Sequence, residues 1–115
     1  MLPPTLDIAT ALMQIIPLLD VPAQTFSIQL GGQNCVITLR QNVTGLYCDL
    51  YVNDALVIGG VVCRNFNRLV RSLYLGFIGD LAFQDMQGDS DPFSPGLGTR
   101  FVLTYLTPAD LGGLV

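Results

Sequence analysis

Three aspartates lie close together in the segment Asp85-Met-Gln-Gly-Asp-Ser-Asp-Pro, which ends at Pro92. Carboxylate oxygens at short spacing are typical ligands of Ca²⁺, a hard cation. The spacing differs from that of an EF-hand loop, however, and no Glu closes it. Asp and Ser beside Gly and Pro are also ordinary turn formers. We therefore expect a solvent-exposed or partner-facing loop over residues 85–99, with a calcium site as the alternative.

Paired carboxylates can also perform hydrolysis, as they do in glycosidases. Asp49 lies on the polar side of a predicted strand and Asp80 follows Gly79 in a predicted turn, but nothing in the spacing brings two carboxylates together. The chain has no His and no Lys, which excludes His-based triads, imidazole metal ligands, P-loops and Schiff bases. We predict no enzyme activity, no catalytic residue, no cofactor and no metal. An Asp-based enzyme is the hypothesis opposed to this one.

Arg64, Arg68 and Arg71 are the one concentration of positive charge in the sequence. At spacings of four and three they would share one face of a helix and could bind a phosphate or carboxylate. Three cations in a chain of formal charge −4 and pI near 4.2 are too few for binding nucleic acid. We expect these arginines to form salt bridges with Asp, within the chain or across a subunit boundary. The segment itself is either a helical turn or an irregular crossover.

The three cysteines are an odd number without CxxC spacing. Cys35 and Cys48 interrupt runs of alternating apolar residues, where Cys behaves as a small buried hydrophobe. We therefore predict reduced thiols and an intracellular folding environment. No Lys or Arg precedes Arg40, and the apolar stretch 6–16 is too short to span a bilayer, so we expect neither a signal peptide nor insertion in a membrane.

The first residues have the spacing of an amphipathic helix. Ile8, Leu12, Ile15 and Leu19 approximate one helical face, and Pro17 ends the pattern. We predict a short helix over residues 5–16 that packs on its own domain or docks on a neighbouring subunit.

From Gln24 onward the hydrophobic period changes to two, which indicates β-strands separated by turns. We predict a mainly all-β fold, a small antiparallel barrel or sandwich of about six or seven strands, with the short helix before it. The expected organisation is an N-terminal arm over 1–19, a β-domain over 20–108 and a C-terminal tail over 109–115. The strand candidates are 24–30, 35–40, 46–52, 55–63, 73–77, 80–83 and 100–106.

Several short segments occur in an order that resembles a known family, the small baseplate plug proteins of contractile-tailed phages, of the cyanophage type. The resemblance extends over residues 16–106, and the N-terminal segment lies outside it. The segments are 24–33 (QTFSIQLGGQ), 37–42 (ITLRQN), 49–52 (DLYV), 73–77 (YLGF after Leu73) with 79–81 (GDL), Asp91-Pro92 and 96–105 (GLGTRFVLTY).

The resemblance implies a structural virion protein of a phage tail baseplate. Such a protein would be made in the host cytoplasm and would pack near the central axis between tube, hub and spike. It also implies no catalysis. A homo-oligomer with three- or six-fold symmetry would suit a tail axis. The alternative is a stand-alone ligand-binding β-barrel with a pocket lined by Phe26, Tyr47 and Phe77.

The composition itself favours a surface that neighbours cover. Only 12% of the chain is charged, and it lacks Lys and Glu, two residue types that are depleted at interfaces. We predict an assembly interface rather than a catalytic site. The residues assigned to it are Leu12, Ile15, Ile16, Arg64, Arg68, Asp89, Asp91 and Phe93.

Overall fold

Two antiparallel β-sheets form the protein in a computed structural model that describes residues 13–71 and 76–107. Sheet A has the strand order β1-β7-β6, and sheet B has the order β2-β3-β4-β5. The all-β prediction is therefore confirmed, and the described strands form two separate sheets instead of a closed barrel. The strands are β1 (Met13–Ile16), β2 (Ala23–Leu30), β3 (Gln33–Asn42), β4 (Gly45–Val52), β5 (Ala55–Val62), β6 (Asp80–Asp85) and β7 (Phe101–Leu106).

Sheet B is a meander of hairpins whose turns follow from the sequence. Gly31 and Gly32 connect β2 to β3 with φ angles of 59° and 77°, and Asn53 and Asp54 connect β4 to β5 with 50° and 70°. Positive φ at both central residues is the signature of the type I′ turn, which matches the twist of a hairpin. The predicted hairpin between residues 24 and 40 is confirmed.

One hydrophobic core lies between the inner faces of the sheets. Alternation along each strand places every second side chain on this inner face, including Leu39 and Leu50 from sheet B and Phe83 and Leu103 from sheet A, all fully buried. The two sheets therefore pack as a small sandwich. Its buried residues also include Cys35, Cys48 and Cys63, which are free thiols as predicted.

The predicted N-terminal helix is wrong where the structure describes it. Residues 13–16 form β1, in which Ile15 pairs with Thr104 and Ile16 with Leu103 of the central strand β7. Two consecutive β-branched residues favour a strand once a partner strand is available, and that partner lies far along the chain. Residues 1–12 lie outside the described part, and the predicted arm over 1–19 includes this strand of sheet A.

The arginine-rich segment between β5 and β6 is an irregular crossover and not a helical turn. Asn65 and Arg68 form isolated bridges to β6, at Phe83 and Ala82. The buried carboxylate of Asp80 holds the end of the crossover, since it accepts hydrogen bonds from the backbone N–H groups of residues 70 and 71 at 2.8 Å each. Most of the strand candidate 73–77 lies outside the described residues.

Candidate assembly interface

The outer face of sheet A is mainly apolar. Strand alternation turns seven described side chains of this sheet away from the core. The carboxylate of Asp80 is buried and bonded to the crossover, and none of the other six side chains is charged. Among these six, Ile15 is 66% exposed, Thr104 is buried and the remaining four are half-buried. The outward face of an antiparallel sheet is usually polar when it meets water. An apolar one is typical of a surface that another molecule covers. The six residues, called the sheet A face below, are Ile15, Ala82, Gln84, Val102, Thr104 and Leu106.

A cavity of about 210 Å³ opens in this face, lined partly by Phe66 and Arg68 of the crossover. Phe66 is 64% exposed and has a φ of 63°. A bulky residue in the left-handed region is strained, at a cost of about 1–3 kcal/mol. The backbone thus holds this phenyl ring at the rim of the cavity and not in the core, a position suited to contact with a partner.

The three crossover arginines have different roles. Arg64 forms a salt bridge with Asp91, from Nη1 to Oδ2 at 3.2 Å, which agrees with the expected pairing to Asp. Arg71 donates from Nε to the carbonyl oxygen of Arg68 at 2.7 Å. Within the described residues, neither Arg68 nor Arg71 pairs with a carboxylate. Because the segment is not helical, the three guanidinium groups do not form one helical face.

The acidic segment is organised by arginine and backbone N–H groups. The Asp85 carboxylate is buried and accepts bonds from Arg100 and from the N–H groups of Gln87 and Ser90, each at 2.9 Å. The Arg100 guanidinium and these N–H groups lower the pKa of Asp85 far below its usual range. Over residues 13–71 and 76–107, no three acidic or thiol side chains converge as a metal site.

A second carboxylate, that of Asp20, ties the linker between the sheets to the far loop. Its Oδ1 accepts hydrogen bonds from the backbone N–H of Gly96 at 2.9 Å and of Leu97 at 3.3 Å. These residues are more than seventy positions away in the chain. This role of Asp20 was not predicted, because an Asp between two prolines carries no signal of so distant a partner.

The other predicted interface residues lie in different surroundings. Ile15 belongs to the sheet A face, whereas Ile16 is 1% exposed and belongs to the core, so its side chain is not at a surface. Asp89 is exposed, and Phe93 is 40% exposed. Leu12 lies outside the described residues.

The aromatic residues of the alternative ligand pocket do not converge. Phe77 is buried against Tyr105, with ring centroids 5.7 Å apart. Tyr47 lies on the outer face of sheet B, where its hydroxyl contacts the Thr44 hydroxyl at 2.7 Å. Phe26 lies on the edge strand β2. The three rings therefore do not line a common cavity.

The described residues thus form a two-sheet domain in which Asp80 and Asp85 are buried and bonded within the chain, and in which the sheet A face is uncharged. A family model described as "Cyanophage baseplate Pam3 plug gp18" matches residues 13–108, a range that contains all seven described strands, and the chain belongs to this family. None of the characterised proteins compared with the chain matches it. The predicted resemblance is confirmed, and with it a structural role in a phage tail baseplate and association with other baseplate proteins. The described residues contain no helix long and apolar enough to cross a membrane.

Proposed function

We propose that the protein is a non-catalytic plug subunit that packs near the central axis of the baseplate, between tube, hub and spike. It is made in the host cytoplasm and takes its place as a homo-oligomer of three- or six-fold symmetry. Its contacts are with proteins and not with nucleic acid or lipid. Family membership supports the baseplate location, and the sheet A face is the observation that carries the mechanism.

The sheet A face can be covered at little cost in desolvation. Burying a charged group without a partner is expensive, and none of its six side chains is charged. Each square ångström of apolar surface removed from water contributes about 25 cal/mol. The cavity beside Phe66 adds a recess for a side chain of a neighbour, and because Arg68 also lines this cavity, the neighbour must leave that guanidinium in contact with water or with a polar group. Shape and apolar contact are therefore the means by which the subunit holds its position.

A charge placed on the sheet A face tests this function. Val102 is half-buried on the outer face of β7, the central strand of sheet A, and Val36 is half-buried on the outer face of β3 in sheet B. Val102→Asp and Val36→Asp are therefore matched variants. We expect Val102→Asp to reduce the copies of the protein per purified particle at least about tenfold, equivalent to about 1.4 kcal/mol of contact energy. Val36→Asp leaves occupancy close to that of the wild type.

Circular dichroism and thermal unfolding of both purified variants establish that each is folded. Should Val102→Asp unfold, Ile15→Gln makes the same test at a more exposed position of the face. Particles that contain a folded Val102→Asp protein at full occupancy would contradict the proposed function.

A further inference from the structure

We propose that the outer edge of β2, which pairs with no other strand of the described residues, binds an extended, uncharged strand of another baseplate protein, which continues sheet B by one strand. This inference rests on the baseplate function proposed above and names one partner of that function. Addition of a strand to an exposed sheet edge is a general mode of peptide recognition, in which main-chain hydrogen bonds supply affinity.

The edge of β2 differs from the three other sheet edges in the described structure. Natural sheet edges are protected by shortness, bulges, charge, proline or a covering segment. Within the described range β1 has four residues, β5 is bulged near Gly60, and the crossover covers β6 through its bridges. The strand β2 has eight residues, AQTFSIQL, without charge, proline or bulge, and in regular register with β3. By this comparison β2 is the unprotected edge.

The register fixes which backbone groups of β2 point outward. The N–H of Gln41 donates to the carbonyl oxygen of Pro22 at 2.7 Å, so the pair of residues 22 and 41 is a hydrogen-bonded one. Hydrogen-bonded and non-bonded pairs alternate along an antiparallel ladder. The even-numbered residues of β2 therefore bond to β3. The N–H and C=O groups of Ala23, Thr25, Ser27 and Gln29 point to the open side.

An apolar groove runs beside the same edge. A cavity of about 300 Å³ lies between β2 and the linker that precedes it. Phe26 and Ile28 lie on the inner face of sheet B yet remain half-exposed there, and Leu19 of the linker is 68% exposed. An added strand would place alternate apolar side chains in this groove. A charged side chain at those positions would be buried without a partner, so the fitting strand is uncharged there.

The comparison of the sheet edges also indicates whether the added strand comes from a second copy of this chain or from another protein. In a second copy β2 is again the one unprotected edge of the described structure, so self-pairing would join β2 to β2 about a two-fold axis. A ring around a tail axis requires head-to-tail contacts between copies and has no such two-fold axis. The strand therefore comes from a different baseplate protein.

Ser27→Pro tests the outward hydrogen bonds. Proline is tolerated on an edge strand where its missing N–H would face away from the sheet, as at Ser27. We expect the purified variant to keep the wild-type circular dichroism and to lose incorporation into particles at least about tenfold, whereas Ser27→Ala incorporates normally. A folded Ser27→Pro protein that is incorporated at wild-type level would overturn the inference.

A photo-crosslinking residue, p-benzoylphenylalanine, placed at Gln29 in assembled particles gives a second measurement that needs no proline. We expect one major adduct, located by mass spectrometry in an extended segment of another baseplate protein. An adduct with a second copy of this chain, or none from fully occupied particles, would overturn the strand inference. Either result would leave the proposed function intact, because that function is tested at Val102 on the other sheet.

Discussion

Asp85 and Arg100 are joined by two parallel hydrogen bonds, from Nε to Oδ1 and from Nη2 to Oδ2, each 2.9 Å long. Asp85 ends β6 and Arg100 immediately precedes β7, so the pair closes the long loop between these strands at its base. Bidentate pairs of this kind fix geometry as well as charge. The guanidinium also lies over the Phe101 ring, 4.9 Å from its centroid.

We predict that this pair makes stability depend on acid pH. The pKa of Asp85 is lowered in the folded protein, first by Arg100 and then by the N–H groups of Gln87 and Ser90. Its unfolded value is about 3.9. The contribution is therefore fully present above about pH 4 and is lost as the pH falls through the folded pKa.

Asp85→Asn should lower the free energy of unfolding at pH 7 and reduce its further loss on acidification. Urea unfolding between pH 7 and pH 2 measures both effects. Asp89→Asn, at an exposed position of the same loop, is the matched control and should behave like the wild type. An Asp85→Asn protein with an unchanged unfolding curve at every pH would count against the role of the pair.

We predict different costs for alanine at two glycines with similar backbone angles. Gly98 and Gly32 have φ angles of 85° and 77°, so alanine is strained at both. A Cβ at Gly98 would lie 2.7 Å from the carbonyl oxygen of Leu18, whereas none of the described atoms lies within 4 Å of a Cβ at Gly32. Gly98→Ala should therefore be the more destabilising by about 1–3 kcal/mol in thermal or urea unfolding. Equal losses of unfolding free energy would show that the loop around Gly98 moves away from Leu18 without a cost in stability.

We predict that Asp20 stabilises the loop over 94–97 through its acceptor oxygen and not through its charge. Asp20→Ala removes the acceptor of the Gly96 and Leu97 N–H groups and should cost about 1 kcal/mol. Asp20→Asn retains Oδ1 and should recover most of that loss. Hydrogen exchange of residues 94–97 gives the local readout. A loss in Asp20→Asn as large as in Asp20→Ala would assign the effect to charge.

We predict that the three thiols react only when the protein unfolds. Burial raises the pKa of Cys35, and hydrogen bonding to Cys48 together with burial raises that of Cys63, so reactive thiolate is scarce in the native state. Labelling with an aromatic disulfide reagent should follow the global unfolding rate and increase with urea as ellipticity is lost. Rapid labelling of one thiol in the native protein would reveal local opening of sheet B.

The sequence predicted sheet B well because its information is local. Phe26 lies between the polar residues Thr25 and Ser27 and faces Ile37 across a glycine turn, so period and turn chemistry suffice. The prediction is wrong where the secondary structure of a segment depends on a partner strand far along the chain. The spacing of Ile15 with other apolar residues fits a helical period, yet Ile15 lies in a strand, where it pairs with Thr104.

For the candidate site, too, some features could be predicted from the sequence and others depended on contacts between distant residues. Pairing of an arginine with Asp was foreseen for the crossover and holds for Arg64, which bonds to Asp91 across 27 positions. Of the sheet A face, the sequence predicted Ile15 as an interface residue but not Val102, because Val102 is known to point outward only once β7 is known to be the central strand of a sheet. No local pattern tells the two faces of such a strand apart when both are apolar.

The open edge of β2 also bears on how much of this protein a cell can hold. A long neutral strand edge is a template for fibrous aggregation when it meets its like at high concentration. We expect chains made in excess of their assembly partners to become insoluble instead of accumulating as a reserve. The number of finished particles would then depend on the ratio in which the baseplate proteins are synthesised, and not on the amount of this one alone.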